Sequence, residues 1–375
     1  MRRFLVGFFA VIGIAAIVGF LGLVGLVVAV VQIGKSAALP DSIVLTADLS
    51  GGLGDGPDPD RASRLLFGAT TTLRDFVDAV DRAAVDPRVK SLFVELGDDS
   101  LGLAKTQQVR DTIAAFRAKG KFAIAFADTY GEGGPGTRPY YLATACDEIW
   151  GQPLGQVALT GLRSETPFLK GLLDKLGVSG DFAHREEFKT AMNSLTETQM
   201  TGPQREEMEA LLTSIWGQIT QGVASARRLS PDQVTALADR APLSAEEART
   251  AGLVDRIGYR DQAVGEARNH AAAGAKTVTV ARYLREAGRP HASGSEIALI
   301  YGTGLITRGG GAGGALGTQD FGAKTIGRAF AAAARDKDVR AIVFRIDSPG
   351  GSATASETIW RDVAEARRSG KPVIV

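Results

Sequence analysis

Leu73-Arg-Asp-Phe-Val-Asp-Ala-Val-Asp-Arg-Ala-Ala-Val-Asp-Pro-Arg-Val-Lys-Ser-Leu-Phe-Val-Glu-Leu96 spells a helix followed at once by a strand. Leu73, Phe76, Val77, Val80 and Ala84 recur at helical spacing and give the helix one apolar face. Asp86-Pro87 ends it, because a proline disfavours the helical conformation of the residue before it. Val89 to Leu96 then reads as a strand. On the N-terminal side, Ile43-Val-Leu-Thr-Ala-Asp-Leu49 reads as a buried strand, followed by a Gly/Asp/Pro loop from Gly51 to Asp60. On the C-terminal side, Val109, Ile113 and Phe116 mark a second helix, Gly120 stops it, and Lys121 to Ala127 is a further strand. Strand alternating with helix predicts an α/β fold with a parallel sheet and crossover helices.

The same pattern returns 250 positions later. Leu73, Phe76 and Val80 map onto Ala323, Ile326 and Phe330, and Asp86 and Val89 onto Asp336 and Val339. Val109 and Ile113 map onto Ile359 and Val363, and Gly120-Lys121 onto Gly370-Lys371. A register kept without a gap through strands, helices and stop signals indicates two copies of one unit. The first is expected over 41–288 and the second over 295–375, with a linker near Gly288 to Gly294. The first copy extends to about Val280, so a complete second copy would reach about residue 530. The second is therefore expected to be incomplete and the chain to be a fragment of a longer protein.

Between the copies, Thr166 to Leu176 reads as a helix ending at Gly177, Val178 to Phe182 as a short strand, and Gln204 to about Arg228 as a long amphipathic helix. Ser244 with Glu247 has the spacing of a capping box.

The 375 residues are 45% apolar, ample for a packed core. With 43 Lys and Arg against 42 Asp and Glu, the net charge is +1, which gives no electrostatic footprint for nucleic acid. Cys146 is the single cysteine, which excludes an internal disulfide and any two-thiolate site. His184, His270 and His291 are far apart in sequence, and no metal-ligand spacing occurs; neither metal nor cofactor is expected.

After Met1-Arg2-Arg3 the chain runs from Phe4 to Ile33 without a charged residue. That exceeds the ~20 residues a helix needs to cross a bilayer and the ~15 of a signal-peptide core. Residues 1–35 thus read as a cytoplasmic tip and membrane anchor, with the bilayer the partner of residues 4–33. The alternative is a cleaved signal peptide, for which Ser36-Ala37-Ala38 is a weak processing site. Arg2 and Arg3 against a lone Lys35 place the N-terminus inside. In a bacterium this means a single-pass protein of the inner membrane with its bulk in the periplasm.

The predicted strand Ala341 to Ile346 runs into Asp347-Ser-Pro-Gly-Gly-Ser352, and a helix follows. A Gly-Gly turn there exposes backbone N–H groups beside a helix N-terminus, a ready anion or oxyanion site. The alternative is a plain tight turn. The first copy has Gly97-Asp-Asp-Ser-Leu101 at the matching place, where two carboxylates would repel an oxyanion. If this loop is catalytic, only the second copy uses it.

At Asp347-Ser-Pro-Gly-Gly-Ser352 the sequence resembles the signal peptide peptidase A (protease IV) family, in its long tandem form. Tyr140-Tyr-Leu-Ala-Thr-Ala-Cys-Asp-Glu-Ile-Trp150, Leu172-Leu-Asp-Lys-Leu-Gly-Val178, Phe188-Lys-Thr-Ala191 and Ala248-Arg-Thr-Ala-Gly-Leu-Val-Asp255 agree with the family in the same order. The resemblance implies tandem Clp/crotonase-like repeats and a membrane-anchored serine endopeptidase with a Ser/Lys dyad. It maps the base onto Lys189 and the oxyanion hole onto Gly350 and Gly351. It places the nucleophile serine in an S-G-G-Y-Y-like motif not found in these residues and expected just beyond Val375. The first copy has Thr137-Arg-Pro-Tyr-Tyr141 there, without a serine. The resemblance further implies signal-peptide remnants or other short peptides as substrates, and a homotetramer.

Several residues read as structural. His184, among Arg185, Glu186 and Glu187, reads as surface; Cys146 as a small buried side chain; Trp216 and Ile219 as a helix core face. The missing serine keeps a second function open, a catalytically inactive membrane-tethered scaffold subunit. By itself, this chain is expected to hydrolyse nothing.

Overall fold

The computed structural model describes residues 38–56, 71–97, 101–311 and 321–375. The apolar run 4–33 and positions 98–100 of the first-copy loop lie outside the described residues. Among the described residues no helix is long and apolar enough to cross a membrane.

In chain order the elements begin with β1 (Ile43–Asp48), α1 (Leu73–Val85), β2 (Val89–Glu95), α2 (Leu103–Ala118), β3 (Phe122–Ala127) and α3 (Thr137–Ala143). Next come β4 (Glu148–Gly151), β5 (Gln156–Val157), α4 (Lys170–Lys175), α5 (Asn193–Thr196), α6 (Gly202–Arg227) and α7 (Pro231–Ala238). Then follow β6 (Leu243–Ser244), α8 (Ala245–Thr250), β7 (Arg256–Ile257), α9 (Arg260–Ala271), β8 (Lys276–Thr279) and α10 (Val280–Ala287). The chain continues with β9 (Glu296–Thr303), β10 (Ile306–Thr307), β11 (Phe321–Gly322), α11 (Ala323–Arg335), β12 (Val339–Asp347), α12 (Ala353–Arg368) and β13 (Val373–Ile374).

The α/β expectation holds. A six-stranded sheet has the order β7-β4-β3-β2-β1-β8, every pair parallel. Its strands are apolar on both faces because helices cover both. On one side Phe76 and Val80 of α1 and Val109, Ile113 and Phe116 of α2 pack with Leu45, Leu92 and Val94. On the other, Ala263 and Ala267 of α9 pack with Val44, Phe93, Ile124 and Phe126. Thr72 and Asp75 close a capping box at the start of α1, and Ser244 with Glu247 does the same for α8, as the spacing predicts.

Asp86 fastens the α1–β2 turn. Its Oδ1 accepts from Arg88 N and Nε at 3.0 Å each, and its Oδ2 from Arg88 Nη2 at 2.8 Å and the buried Tyr283 hydroxyl at 2.9 Å. Burial pushes this carboxyl up, but the hydrogen bonds from Arg88 and Tyr283 outweigh it and bring its pKa down to about 2.

A second parallel sheet has the order β13-β12-β9. Its core gathers Ile300, Ile342, Phe344, Ile326, Phe330 and Ile359. Phe344 meets Phe321 and Phe330 edge to face, with ring centroids 5.8 and 5.1 Å apart.

The segment after β5 departs from expectation. The helix anticipated over 166–176 shrinks to α4, six residues long, and 178–182 forms no strand. The reason is packing. Leu169, Leu172, Leu176, Val178, Phe182 and Phe188 are all between 44% and 66% exposed, so the apolar spacing has no core to face.

Candidate active site

Strand β12 delivers Asp347 to the carboxyl edge of the second sheet, and the chain turns through Ser348, Pro349, Gly350 and Gly351 into α12. Strand β10 clamps this turn. Ile306 N donates to Gly350 O and Ser352 N donates to Ile306 O, each at 2.9 Å, while Gly304 N donates to Asp347 O at 2.9 Å. In such a parallel bridge the flanking peptides supply the bonds, so Gly351's own N–H and C=O face away from β10. Gly351 is exposed there, one residue before the N-cap Ser352 and hence at the positive end of a 16-residue helix. Among the described residues this N–H has no hydrogen-bond partner, which leaves it a donor of the kind that stabilises an oxyanion.

The two glycines are not equivalent. Gly350, at φ +109°, already gives its N–H to Ser348 Oγ at 3.1 Å. Gly351 lies at φ +154°, and an added Cβ would sit 2.2 Å from Ile306 O. Only a glycine allows β10 and the loop to approach this closely.

Lys189 lies elsewhere in the chain, in the exposed segment before α5. Among the described residues it makes no hydrogen bond or ion pair, and no contact joins it to the glycine loop. Phe188 and Ala191 beside it are exposed as well, so this chain does not enclose the ammonium group. The loop and the lysine are thus not brought together by the described residues.

Other candidates resolve as structural. The first-copy segment Thr137 to Tyr141 begins α3; the Thr137 hydroxyl is buried and donates to Gly161 O at 2.9 Å, while Tyr140 donates to Leu253 O at 2.8 Å. Cys146 is buried, which pushes its thiol up to about 12. Exposed His184 places Nδ1 2.9 Å from Glu186 O. Trp216 and Ile219 pack against the main core. Glu148, Glu266 and His270 hold donor atoms within 4.8 Å of one another, but Arg256 Nη2 lies 3.9 and 3.8 Å from the two carboxylates and answers their charge.

A set of charges that sequence reading missed surrounds the start of the loop. Asp55 is buried, with its side chain 1% exposed. Its Oδ1 accepts from Arg345 Nε at 2.8 Å. Its Oδ2 has no hydrogen-bond partner of good geometry and is held by charge, with Lys105 Nζ 2.6 Å away. The same Nζ is 3.1 Å from Asp347 Oδ2, and Arg345 Nη1 donates to Gln108 Oε1 at 3.1 Å. Burial pushes the Asp55 carboxyl up, yet the Lys105 and Arg345 cations beside it leave it below the ordinary value. Burial likewise pulls the Lys105 ammonium down, and its bonds to Asp55 and Asp347 raise it overall. The available signal was Arg345, a charge inside the otherwise apolar strand Ala341 to Ile346.

Residues 115–274 match the profile of peptidase family S49. Protease 4 of Haemophilus influenzae is 29% identical, covering 91% of this chain and 58% of its own length. Protease 4 of Salmonella typhi is 29% identical over 88% of this chain and 56% of its own. The serine protease SPPA, chloroplastic, of Arabidopsis thaliana is 26% identical over 88% and 48%. The chain spans about half the length of these curated relatives. An enoyl-CoA hydratase structure from Geobacillus kaustophilus overlays on 53% of this chain and 62% of its own at 15% identity, with a TM-score of 0.30, too low to bear on fold or function. Parallel sheets with crossover helices define an α/β protein, and a glycine turn stands at the carboxyl end of β12. Over residues 115–274 the chain matches peptidase family S49, and along most of its length it is similar to proteases of the signal peptide peptidase A (protease IV) family.

Proposed function

We propose that the full-length protein is a membrane-anchored serine endopeptidase that cleaves signal-peptide remnants and other short peptides on the extracytoplasmic side of a bacterial inner membrane. The observation that carries this reading is the open Gly351 N–H beside the α12 N-terminus, in a loop a side chain would block. In this reading Lys189 is the general base, Gly350 and Gly351 frame the oxyanion site, and the nucleophile is a serine following Val375. A serine hydroxyl is a weak nucleophile and needs a neighbouring base, and a lysine serves only when desolvated enough to be neutral. Residues 4–33 serve as the anchor, with the N-terminus inside.

The reading includes a tandem architecture with repeats over 41–288 and 295–375. Its support is the agreement of element bounds. The helices 73–85 and 323–335 differ by 250 at both ends, as do 103–118 and 353–368. The strand orders β3-β2-β1 and β13-β12-β9 correspond. Lys121 Nζ donates to the carbonyls of Asp86 and Val89, and Lys371 Nζ donates to Ala333 O and Asp336 O. A homotetramer is part of the same reading. The exposed apolar segment carrying Phe182 and Phe188 supports it, since a second copy covering that segment would also desolvate Lys189.

The exposure of Lys189 in the single chain favours one alternative, a catalytically inactive tethered scaffold subunit. A fluorophosphonate serine probe separates the two. The peptidase reading expects labelling of the full-length protein and loss of peptide hydrolysis in Lys189→Arg, because a guanidinium stays protonated and cannot accept the serine proton. An unlabelled full-length protein, or Lys189→Arg with normal kcat/KM, establishes the scaffold or removes the lysine from its role.

A further inference from the structure

We propose that Lys105 is a positioning residue for the glycine loop, tying its first residue, Asp347, to a buried anion of the other sheet's unit; the inference rests on the peptidase reading of that loop. Lys105 stands at the third position of α2, which packs on the six-stranded sheet. Asp347 ends β12 of the three-stranded sheet and begins the turn to Gly351. One ammonium group, 19% exposed, reaches both Asp55 and Asp347, at 2.6 and 3.1 Å.

Asp55 is what makes this contact specific. A carboxylate that is 1% exposed must be paired, and its two oxygens are taken by cations from different units: Lys105 on Oδ2 and Arg345 on Oδ1. Arg345 is two residues before Asp347 on the same strand, so both side chains point to the same face of β12. That face meets α2, because Arg345 also donates to Gln108, one helical turn beyond Lys105. Two residues of β12 and two of α2 therefore meet around one buried anion, immediately upstream of the oxyanion turn. The downstream side of the turn is already held by β10 through Gly350 and Ser352. Without Lys105, Asp347 loses its cation and Asp55 keeps only Arg345, so the upstream end of the turn is free to shift.

A misplacement of about 1 Å at a reacting group can cost about 10²-fold in rate. The expected result for Lys105→Met in the full-length protein is therefore a loss of about 10- to 100-fold in kcat with KM changed by less than about threefold. Lys105→Arg should restore most of the rate. Asp347→Asn, at a residue whose side chain is 53% exposed, tests the same link without disturbing the core and should lower kcat in the same way. Combining Lys105→Met with Asp347→Asn should cost little beyond the larger single effect, because both remove one contact. Hydrogen exchange should show faster amide exchange over 348–352 in both variants, a readout independent of turnover. Wild-type kcat in Lys105→Met, unchanged exchange over 348–352, or fully multiplicative losses in the double variant overturns the proposal. Gly351→Ala in the same series keeps the two claims apart. If it leaves turnover intact, the loop is not the oxyanion site; if it abolishes turnover while Lys105→Met does not, only the role of Lys105 falls.

Discussion

Placing alanine at position 351 tests the glycine loop directly. The new methyl would lie 2.2 Å from Ile306 O and 2.7 Å from Ile306 N, well inside any real carbon contact. The loop and β10 would have to separate by more than about 1 Å to restore ordinary contact. Separation on that scale breaks the bonds from Ile306 N to Gly350 O and from Ser352 N to Ile306 O, both 2.9 Å. Two such bonds are worth about 1 kcal/mol each, and alanine at φ +154° adds about 1–2 kcal/mol of backbone strain. The total, about 3–4 kcal/mol, falls on a surface turn and not on a core, so the fold should survive while the turn moves. Gly350→Ala provides the contrast. No atom lies within 4 Å of its added methyl, its φ of +109° brings strain alone, and its N–H is already given to Ser348. In the full-length protein, Gly351→Ala should lower peptide kcat/KM by about 10²- to 10³-fold, the scale of losing an oxyanion donor. Gly350→Ala should lower it by about tenfold or less. Steady-state hydrolysis of a quenched fluorescent peptide gives both values, and circular dichroism checks that each variant is folded. Equal losses, or a Gly350→Ala variant more damaged than Gly351→Ala, would refute the assignment of Gly351 as the open donor.

Asp86→Asn should destabilise the chain by about 2 kcal/mol at neutral pH, since a carboxyl brought from 3.8 to about 2 stabilises the folded state by roughly that amount while ionised. The pKa is depressed, so this stability is present above about 4 and lost as pH falls towards about 2; urea denaturation at pH 7 and at pH 2.5 should show the gap between wild type and variant narrowing, and a pH-independent gap would rule out the ionised carboxylate as its source. Cys146, with its thiol pushed up to about 12, should resist a disulfide reagent at pH 8 in the native chain and react once unfolded; rapid stoichiometric reaction of native protein would show that the thiol is not enclosed.

The first unit was legible because local rules and global packing agree there. Phe76, Val80 and Ala84 recur at helical spacing, Asp86-Pro87 stops the helix, and Leu92 to Val94 supply a strand apolar on both faces. The helices and strands over 323–375 were legible for the same reason. The segment 166–182 misled because Leu169, Leu172 and Leu176 have the spacing of a buried helix face while the described chain offers nothing to bury them. Periodicity reports that a face is apolar and is silent on what covers it. At the candidate site, the glycine pair was visible because its conformation is written in residue type. Which of the two N–H groups is open was not, because that follows from a bridge to Ile306 and a hydroxyl on Ser348. The charges around Asp55 were invisible for another reason. Asp55 and Arg345 are 290 positions apart, and ion pairs across such distances leave no period in a sequence.

That charge cluster also bears on why the contact at the loop is ionic. A buried ion pair is a weak source of stability, because desolvating both partners cancels most of their attraction. An apolar contact between α2 and β12 could hold the two units together at least as well. What an apolar contact does poorly is fix position, since it tolerates sliding and repacking at small cost. A carboxylate that is 1% exposed does not tolerate sliding. If Asp55 moves from Lys105 or Arg345, a carboxylate that is 1% exposed keeps one cation in place of two, and separation from both would cost about 3–5 kcal/mol. The energy therefore rises steeply for displacement in any direction that separates the three groups. An oxyanion site demands that kind of restraint, because its donor must already stand where charge will develop. The placement of Asp347 beside the cluster, with Lys105 shared between it and Asp55, passes the restraint to the first residue of the turn. The cluster thus fixes the register of one unit on the other at the point where the turn to Gly351 begins.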